Sequence, residues 1–388
     1  MCNLANKTLA MKSFLSSFLI VFLLIGCKQK NNSIDTKNDI RRSINIKYAK
    51  GFEIQEFNDY KKLIIKSPYL NAKEQFEYIL IDKLNASKTT KTGSKIATPI
   101  QKVVVTSTTH IPMLELLGVE NTLIGFPHTK YVSSPKTRKL IENNSIKEIG
   151  VKSALNTEIL LDLKPDLVVG FSMSKTNKSL NLIEKSGIPV VLNGDWLEET
   201  PLGRAEWIKF FGVLYNKEKE ADSIFNAIES NYNNAIQLAK KSNKKPTILS
   251  GAIMSKDIWN LPAGESFVAR FLKDANTNYL WKDSKGKGSL SISFESIIDK
   301  GKNADVWIAP GYFSTKEQML NSNSNYKDFT AFQKDQLYTF ANKTGKTGGV
   351  IYFELGPTRP DLVLKDIIKI THPELLKEYT STFFEKMN

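Results

Sequence analysis

The chain has little of what builds disulfides or metal cages. Its 388 residues include only two cysteines, Cys2 and Cys27, and three histidines. Because neither cysteine lies beyond residue 27, the body of the protein has no disulfide and no thiolate metal site. With three histidines in all, a histidine-rich metal cage is also disfavoured.

Long apolar runs and clusters of charge are also scarce. Only one run, near the N-terminus, approaches membrane-spanning length, which excludes a polytopic transporter. The 54 Lys and Arg outnumber the 40 Asp and Glu, for a net charge of +14, but they are spread along the chain. Because no zinc-finger, RNA-binding or basic-zipper pattern accompanies them, we expect no nucleic-acid partner. A hydrophobic content of 41% is enough to form folded cores.

The apolar run near the N-terminus predicts a lipoprotein signal. Residues 11–27 read MKSFLSSFLIVFLLIGC, a lysine followed by an apolar stretch of secretory-signal length. Residues 24–27 resemble the lipobox of bacterial lipoproteins, in which the signal is cleaved before the cysteine and the cysteine is lipidated. A plain membrane-anchor helix is the alternative, but the run is short and a polar segment follows. We therefore predict lipidation of Cys27 and a location in the bacterial cell envelope, on the periplasmic or outer face of a membrane.

The rest of the chain predicts an α/β protein. Residues 44–84 alternate apolar and polar positions, as short antiparallel strands do. Buried-strand runs then alternate with helical stretches. Over residues 218–241, apolar side chains recur at helical spacing for about six turns of 3.6 residues, and this stiff helix is expected to permit little hinge bending.

Two segments on either side of that long helix are similar in sequence. Residues 156–169 and 293–308 each begin with a helix N-cap residue, carry a glutamate two positions later and end in an aliphatic strand. A second similarity relates residues 116–125 to residues 271–281. We infer two related lobes. The predicted organisation is a lipoprotein signal over 1–27, a flexible tether over 28–43, a first lobe over 44–200, a linking helical region over 201–245 and a second lobe over 246–388.

This order of lipobox, lobe, long helix and related lobe resembles the substrate-binding proteins of ABC importers for iron chelates and cobalamin. The resemblance covers about residues 100–388. It implies the class III periplasmic-binding fold, an α/β fold of two Rossmann-like lobes with central sheets joined by one long α-helix, and no enzymatic activity. The segments that carry it are NTEILLDLKPDLV at 156–168, GIPVV at 187–191, PLGRAEWI at 201–208 and the stretch from RPD at 359–361 to HPE at 372–374.

The resemblance assigns Glu158 and Glu295 to docking on the permease. In the family, one such carboxylate per lobe pairs with arginines of the two permease subunits. The expected partners are therefore an ABC permease dimer with its ATPase subunits, and the protein is expected to act as a monomer. The alternative is local: a carboxylate in the first turn of a helix stabilises that helix by about 0.3–1 kcal/mol.

The resemblance places the ligand between the lobes, on loops that follow strand ends. Aromatic side chains there would suit a large chelate or macrocycle. Arg204 would suit an anionic ligand or, alternatively, a structural ion pair with a nearby carboxylate such as Glu199. The glycine-rich residues 345–349 lack phosphate-loop spacing and are expected to form a flexible loop over the cleft. The predicted ligand-binding residues are His110, Phe126, His128, Trp196, Arg204, Trp259 and Tyr312.

The predicted function is capture of an iron–siderophore complex for an ABC importer, without an intrinsic cofactor or metal. Cobalamin or another corrinoid, or haem, is the alternative ligand, because these share the demand for a large aromatic pocket. A chelatase-like enzyme on the same plan is disfavoured by the signal and the lipobox. A receptor for a free metal ion would need three or four convergent His or carboxylate ligands.

Overall fold

The computed structural model describes residues 41–84, 93–151 and 154–388. The predicted signal, Cys27 and most of the predicted tether lie outside the described residues. The described residues form an α/β protein in which a sheet precedes two lobes joined by helices. Within this part of the chain, no helix is long and apolar enough to cross a membrane.

The N-terminal sheet has the strand order β1-β2-β3-β4-β5. Strands β1 to β4 pair antiparallel, as the alternating pattern predicts, whereas β5 pairs parallel with β4. Alternation along β2 buries Phe52 and Ile54 on one face, against the linking helices. The strands are β1 (Arg42–Ser43), β2 (Phe52–Glu56), β3 (Lys61–Ile65), β4 (Phe76–Asp82) and β5 (Ser94–Thr98).

The first lobe is built on a parallel sheet with the order β12-β11-β6-β7-β8. Its strands read as continuous aliphatic runs because helices cover both faces of such a sheet. The sheet strands are β6 (Val103–Val105), β7 (Leu123–Phe126), β8 (Lys147–Glu148), β11 (Leu167–Gly170) and β12 (Val190–Leu192). The helices are α1 (His110–Leu116), α2 (Pro135–Glu142), α3 (Thr157–Leu163) and α4 (Lys178–Lys185), and a small ribbon pairs β9 (Gly150–Val151) with β10 (Ala154–Leu155).

The second lobe repeats this plan. Its main sheet has the order β16-β13-β18-β19-β20, parallel except for β20. A second, antiparallel sheet has the order β14-β15-β17. The strands are β13 (Thr247–Ser250), β14 (Ala252–Ser255), β15 (Ile258–Pro262), β16 (Asn278–Tyr279), β17 (Ser289–Ser293), β18 (Val306–Ile308), β19 (Leu337–Thr339) and β20 (Glu385–Lys386). The helices are α8 (Phe267–Asp274), α9 (Phe294–Gly301), α10 (Lys316–Ser322), α11 (Thr330–Gln333), α12 (Ile351–Leu355) and α13 (Pro360–Thr371).

The two main sheets have the same strand order as well as similar strand sequences. The order β7-β6-β11-β12 of the first lobe matches β16-β13-β18-β19 of the second. The aspartate just before the strand of each similar segment makes the same contact in both lobes. Asp166 accepts a hydrogen bond from Gln101 N at 2.8 Å, and Asp305 accepts one from Thr247 N at 2.8 Å. Each aspartate thus ties the strand that follows it to the start of the central strand.

Helices α5 (Pro201–Glu206), α6 (Ile208–Leu214) and α7 (Glu218–Ala239) link the lobes. The sequence predicts one helical piece over 201–214, but the structure divides it at Trp207, which caps one helix and precedes the next. Helix α7 runs for 22 residues with no proline or glycine. The side chain of Trp207 is fully buried, as is that of Trp307 in β18, so both are core residues.

Buried carboxylates attach the N-terminal sheet to this linking region. Glu206, which is fully buried, accepts backbone hydrogen bonds from Lys47, Tyr48 and Ala49 at 2.8, 2.6 and 2.9 Å. Its carboxylate also pairs with Lys209 at 3.0 Å. Because buried backbone N–H groups need an acceptor, one side chain fixes a whole turn of the preceding segment.

Candidate functional site

Each main sheet has a point at which the order of its strands reverses. In the first lobe the chain runs from β6 outward to β7 and β8, then returns to the other side of β6 as β11 and β12. In the second lobe the same reversal lies between β13 and β18. Open α/β sheets bind ligands beyond the carboxyl ends of the strands at such a point.

The loops at both reversal points are held together by hydrogen bonds. After β6 and β11, Phe171 N donates to Thr106 Oγ1 at 2.8 Å. After β13 and β18, Gly251 N donates to Ala309 O at 3.1 Å. These bonds position the loops on rigid strand ends, as a binding site requires.

Between the lobes these loops border a cleft of about 560 Å³. Thr106, Ser107 and Thr108 contribute its polar wall in the first lobe. This volume lies within the range of roughly 300–1,000 Å³ that small-molecule sites occupy. The aromatic lining residues are Phe126, His128, Tyr131 and Phe171 from the first lobe and Tyr312 and Phe353 from the second.

Two further cavities adjoin this cleft at Phe353. One, of about 340 Å³, is lined by apolar residues of the second lobe and by Ser250 and Gly251 at the reversal point. The other, of about 170 Å³, lies beside Arg204 and Phe267. Phe353 lines all three cavities and is 40% exposed, so its ring stands where they meet.

The turn that carries His128 and Tyr131 is held by hydrogen bonds to the carboxylate of Glu148. Glu148 accepts hydrogen bonds from the backbone N–H groups of His128 and Thr129, each at 2.7 Å, and of Gly150 at 2.6 Å. Partial burial raises the pKa of Glu148, but these donors outweigh it and hold the pKa below the ordinary value. His128 itself takes a left-handed φ of 56°, which aims the turn at the cleft.

The structure brings several predicted ligand residues to the cleft. Phe126, His128 and Tyr312 line it directly. Tyr312 is 64% exposed and packs against Phe353 with ring centroids 5.8 Å apart. Trp196 is half-buried behind the cleft wall, with its ring 5.4 Å from that of Phe171. Contact between these side chains and a ligand remains a prediction.

Two predicted ligand residues lie in the protein interior instead. Trp259 is not at a strand end but within β15, fully buried among Trp307, Tyr326 and Phe329, and its Nε1 donates to Ser250 O. It is therefore a core residue of the second lobe. His110 begins α1, is also fully buried and faces Phe211 at 5.6 Å. Burial lowers the pKa of His110, and its ring does not reach the cleft surface.

Arg204 contacts Trp196 in the first lobe and Phe267 in the second, and it also borders a cavity. Its Nη2 donates to Trp196 O at 2.7 Å, and its guanidinium lies 3.6 Å from the ring centroid of Phe267 in the second lobe. Glu199, the carboxylate named in the alternative, pairs with Lys287 and Lys50 and not with Arg204. Arg204 also lines the cavity of about 170 Å³, and an anionic ligand group there remains a prediction.

Glu158 and Glu295 occupy matched positions, as their sequences predict. Asn156 Oδ1 accepts from Ile159 N at 3.1 Å at the start of α3, and Ser293 Oγ accepts from Ser296 N at 3.4 Å at the start of α9. Both glutamates lie in the first turn, are exposed and make no ion pair with any described residue. Both are therefore open to a partner, although docking itself is untested by this geometry.

Sequence reasoning missed Tyr131, Val350 and Phe353, which all line the cleft. Tyr131 lies in a short 3₁₀ turn five residues after the end of β7, and Phe353 lies in α12, so neither stands directly at a strand end. Their exposure, 54% and 40%, is a signal that only a structure provides. Over the described ranges, His, Cys, Asp and Glu side chains form no group of three or more that could hold a metal ion.

Comparison with known proteins shows which family the chain belongs to. A sequence model for the family described as periplasmic binding protein matches residues 103–344, more than half of the chain. The match begins at β6, so the N-terminal sheet precedes it. An uncharacterised lipoprotein of Methanocaldococcus jannaschii is 25% identical over 95% of this chain and 94% of its own length.

Solved structures show the same fold. A periplasmic binding protein from Veillonella parvula aligns with a TM-score of 0.57 at 18% identity, covering 83% of this chain and 95% of its own. A periplasmic heme binding protein from Pseudomonas aeruginosa aligns with a TM-score of 0.56 at 17% identity, covering 74% of this chain and 98% of its own. A possible iron-binding periplasmic protein from Staphylococcus epidermidis aligns with a TM-score of 0.56 at 21% identity, covering 71% of this chain and 100% of its own. The predicted class III fold is confirmed.

Proposed function

Because the chain belongs to the family of periplasmic binding proteins, the substrate-binding components of ABC importers, we propose that it captures chelated iron, as a ferric siderophore or as haem, between its two lobes. It is a binding protein and not an enzyme. The observation that carries the ligand proposal is the aromatic cleft at the two reversal points, bordered by both lobes.

The size and lining of the cleft support a large, partly apolar cargo. The cleft of about 560 Å³ is joined at Phe353 to a cavity of about 340 Å³, which gives room for a chelate or macrocycle. Phe126, Phe171 and Tyr312 line that space, and Tyr312 is the most exposed of the three, at 64%. Such rings bind flat conjugated groups with little loss of side-chain entropy.

The same wall carries groups that suit iron. Imidazole nitrogen and phenol oxygen both ligate haem iron in proteins. His128 and Tyr131, with ring centroids 6.3 Å apart, and Tyr312 from the opposite lobe all line the cleft. The names of the solved relatives from Pseudomonas aeruginosa and Staphylococcus epidermidis, heme binding and possible iron-binding, point in the same direction.

The ligand is best identified on the protein as the native host makes it. The complete chain is purified from host membranes in detergent, its absorbance spectrum is recorded, and the bound molecule is released for mass spectrometry. We expect iron together with the mass of a siderophore or of haem, one per chain. A corrinoid mass, or an organic ligand without a metal, would overturn the iron proposal and leave the family assignment intact.

We further propose that Glu158 and Glu295 dock on the permease. Each is an exposed carboxylate at the start of a short helix, one per lobe, and a pair of equivalent charges suits a partner with two equivalent subunits. An arginine bound by each carboxylate would add a charge-assisted hydrogen bond of about 1.5–3 kcal/mol. The local alternative gives only a small loss of folding stability.

The docking proposal is tested with the cognate permease and ATPase in liposomes. Glu158→Arg combined with Glu295→Arg should leave ligand affinity within about twofold while reducing ligand-stimulated ATP hydrolysis at least tenfold. A matched control is Glu317→Arg, an exposed first-turn glutamate on α10. Normal stimulation by the double variant would remove the docking role, and a loss of ligand affinity would move these residues into the ligand site.

A lipid anchor at Cys27 is proposed on the lipobox and on the lipoprotein relative from Methanocaldococcus jannaschii. Together with the polar residues 28–43, it would hold the two lobes near a membrane-embedded permease. A tethered binding protein meets its permease at a high effective concentration, so even weak docking would suffice for delivery.

A further inference from the structure

Residues 343–355 of the second lobe, which we name the strap, cross to the first lobe beside the cleft. The strap is closed on itself, with Gly345 N donating to Gly349 O at 2.8 Å and Ile351 N donating to Lys343 O at 2.9 Å. It is rooted in its own lobe by Tyr352, whose ring stacks on that of Phe340 at 5.4 Å. The family match ends at residue 344, before most of the strap.

The strap lies directly against the backbone of the first lobe. A Cβ added to Gly349 would be 2.1 Å from the carbonyl oxygen of Tyr131, and one added to Gly345 would be 2.5 Å from Cα of Ser133. Only glycine permits this approach. The glycine-rich sequence, expected to form a flexible loop, is therefore a packed contact between the lobes.

Polar contacts of two kinds bridge the lobes at the strap. The exposed ones are a Lys346–Glu142 ion pair at 2.9 Å and a hydrogen bond from Thr347 Oγ1 to Lys130 O at 2.7 Å. The buried one is Glu354, 2% exposed, whose two carboxylate oxygens accept from Ser133 N and Ser134 N at 2.7 and 2.8 Å. Exposed ion pairs contribute little, whereas a buried carboxylate with two N–H donors is costly to lose.

The strap also forms part of the cleft wall. Gly348, Val350 and Phe353 line the cleft, and Phe353 is adjacent to Glu354 in α12. Movement of the strap away from Ser133 would therefore displace Phe353 and open the space where the three cavities meet.

We propose that Glu354 is a positioning residue, which by anchoring the strap to the first lobe closes one wall of the cleft and slows release of the ligand. The proposal rests on the proposed function only for the ligand; the anchoring is a property of the chain alone. Release to a permease would then require the Ser133 and Ser134 hydrogen bonds to break.

Anchoring is measured without a ligand, by hydrogen–deuterium exchange on the complete chain in detergent, at a pH well above about 7 so that Glu354 is ionised and both of its oxygens can accept. In Glu354→Gln, one oxygen is replaced by an NH₂ group that cannot accept, so exchange over residues 130–137 and 343–355 should rise at least tenfold. Gly349→Ala forces the strap off by a different route and should give the same pattern. The matched control Glu142→Gln, which breaks the exposed pair, should stay within twofold of wild type. Unchanged exchange in Glu354→Gln would overturn the proposal.

Retention is measured with two probes, hemin and a ferric catecholate siderophore. Hemin release is followed by transfer to excess apomyoglobin, and siderophore release by exchange against an excess of gallium-loaded siderophore. For a probe that binds, Glu354→Gln should release it at least tenfold faster and Glu142→Gln at the wild-type rate. Faster strap exchange with unchanged release would overturn the retention role. If neither probe binds, the proposed function and the retention role both fail, while the exchange data still decide the anchoring.

Discussion

Replacing Glu206 by Ala should weaken folding strongly, because this carboxylate holds the N-terminal sheet on the linking helices. It accepts three backbone hydrogen bonds, from Lys47, Tyr48 and Ala49, and pairs with Lys209, which is 7% exposed. Each such bond to a charged group contributes about 1.5–3 kcal/mol. Removing one partner of a buried ion pair costs about 3–5 kcal/mol, since the other charge stays buried.

Lys209 retains some compensation, because its Nζ also donates to Asn45 O at 2.8 Å and pairs with Asp222 at 3.2 Å. The three backbone N–H groups have no such substitute in the described structure. We therefore expect Glu206→Ala to lower the free energy of unfolding by about 4 kcal/mol, near the middle of the range for a broken buried pair.

The measurement is urea unfolding followed by circular dichroism and by tryptophan fluorescence, to which Trp207 beneath the sheet contributes. A matched control is Glu77→Ala in β4, which breaks an exposed pair with Lys62 at 3.0 Å and should cost less than about 1 kcal/mol. A Glu206→Ala protein as stable as the Glu77→Ala protein would refute the reasoning. It would mean that the apolar face of the sheet, together with Glu198, which accepts from Lys50 N and Gly51 N, holds the sheet without Glu206.

Two further predictions concern the anchor and the pH dependence of stability. Cys27→Ser should release the protein from the membrane fraction; a processed variant that stays fully membrane-bound would contradict lipidation. Burial raises the pKa of Glu354 to about 7, with a smaller contribution from Glu115. The folded state therefore binds more protons than the unfolded state. As the pH rises from about 4.5 to about 7, the free energy of unfolding should fall by roughly 3 kcal/mol relative to that of Glu354→Gln. A difference between the two proteins that does not change with pH would contradict this.

Local chemistry explains why the repeat could be predicted from the sequence. An N-cap residue and a first-turn glutamate mark the start of a helix, and an aliphatic run a few residues later marks a strand. The pairs α3–β11 and α9–β18 can therefore be predicted from sequence alone. The sequence also places an aspartate, Asp166 or Asp305, directly before each of these strands. Their task of tying strand starts together needed the sheet order.

Contacts distant in sequence explain what could not be predicted. Trp259 is a core residue and not the predicted loop residue, because the alternation Ile258-Trp259-Asn260-Leu261 of β15 buries every second side chain. That strand belongs to a small additional sheet, which has no counterpart in the first lobe's described residues. The strap escaped prediction for a similar reason: Glu354 meets its partners Ser133 and Ser134 across more than 200 residues.

The central claim is that the ligand lies in the cleft between the lobes, and a matched pair of aromatic substitutions tests it most directly. Hemin and a ferric siderophore are titrated into the complete chain by isothermal calorimetry. The account predicts one site per chain, a dissociation constant raised at least tenfold, about 1.4 kcal/mol, by Tyr312→Ala in the cleft, and a change within twofold for Trp259→Phe in the core. Wild-type affinity in Tyr312→Ala together with lost binding in a folded Trp259→Phe would contradict it.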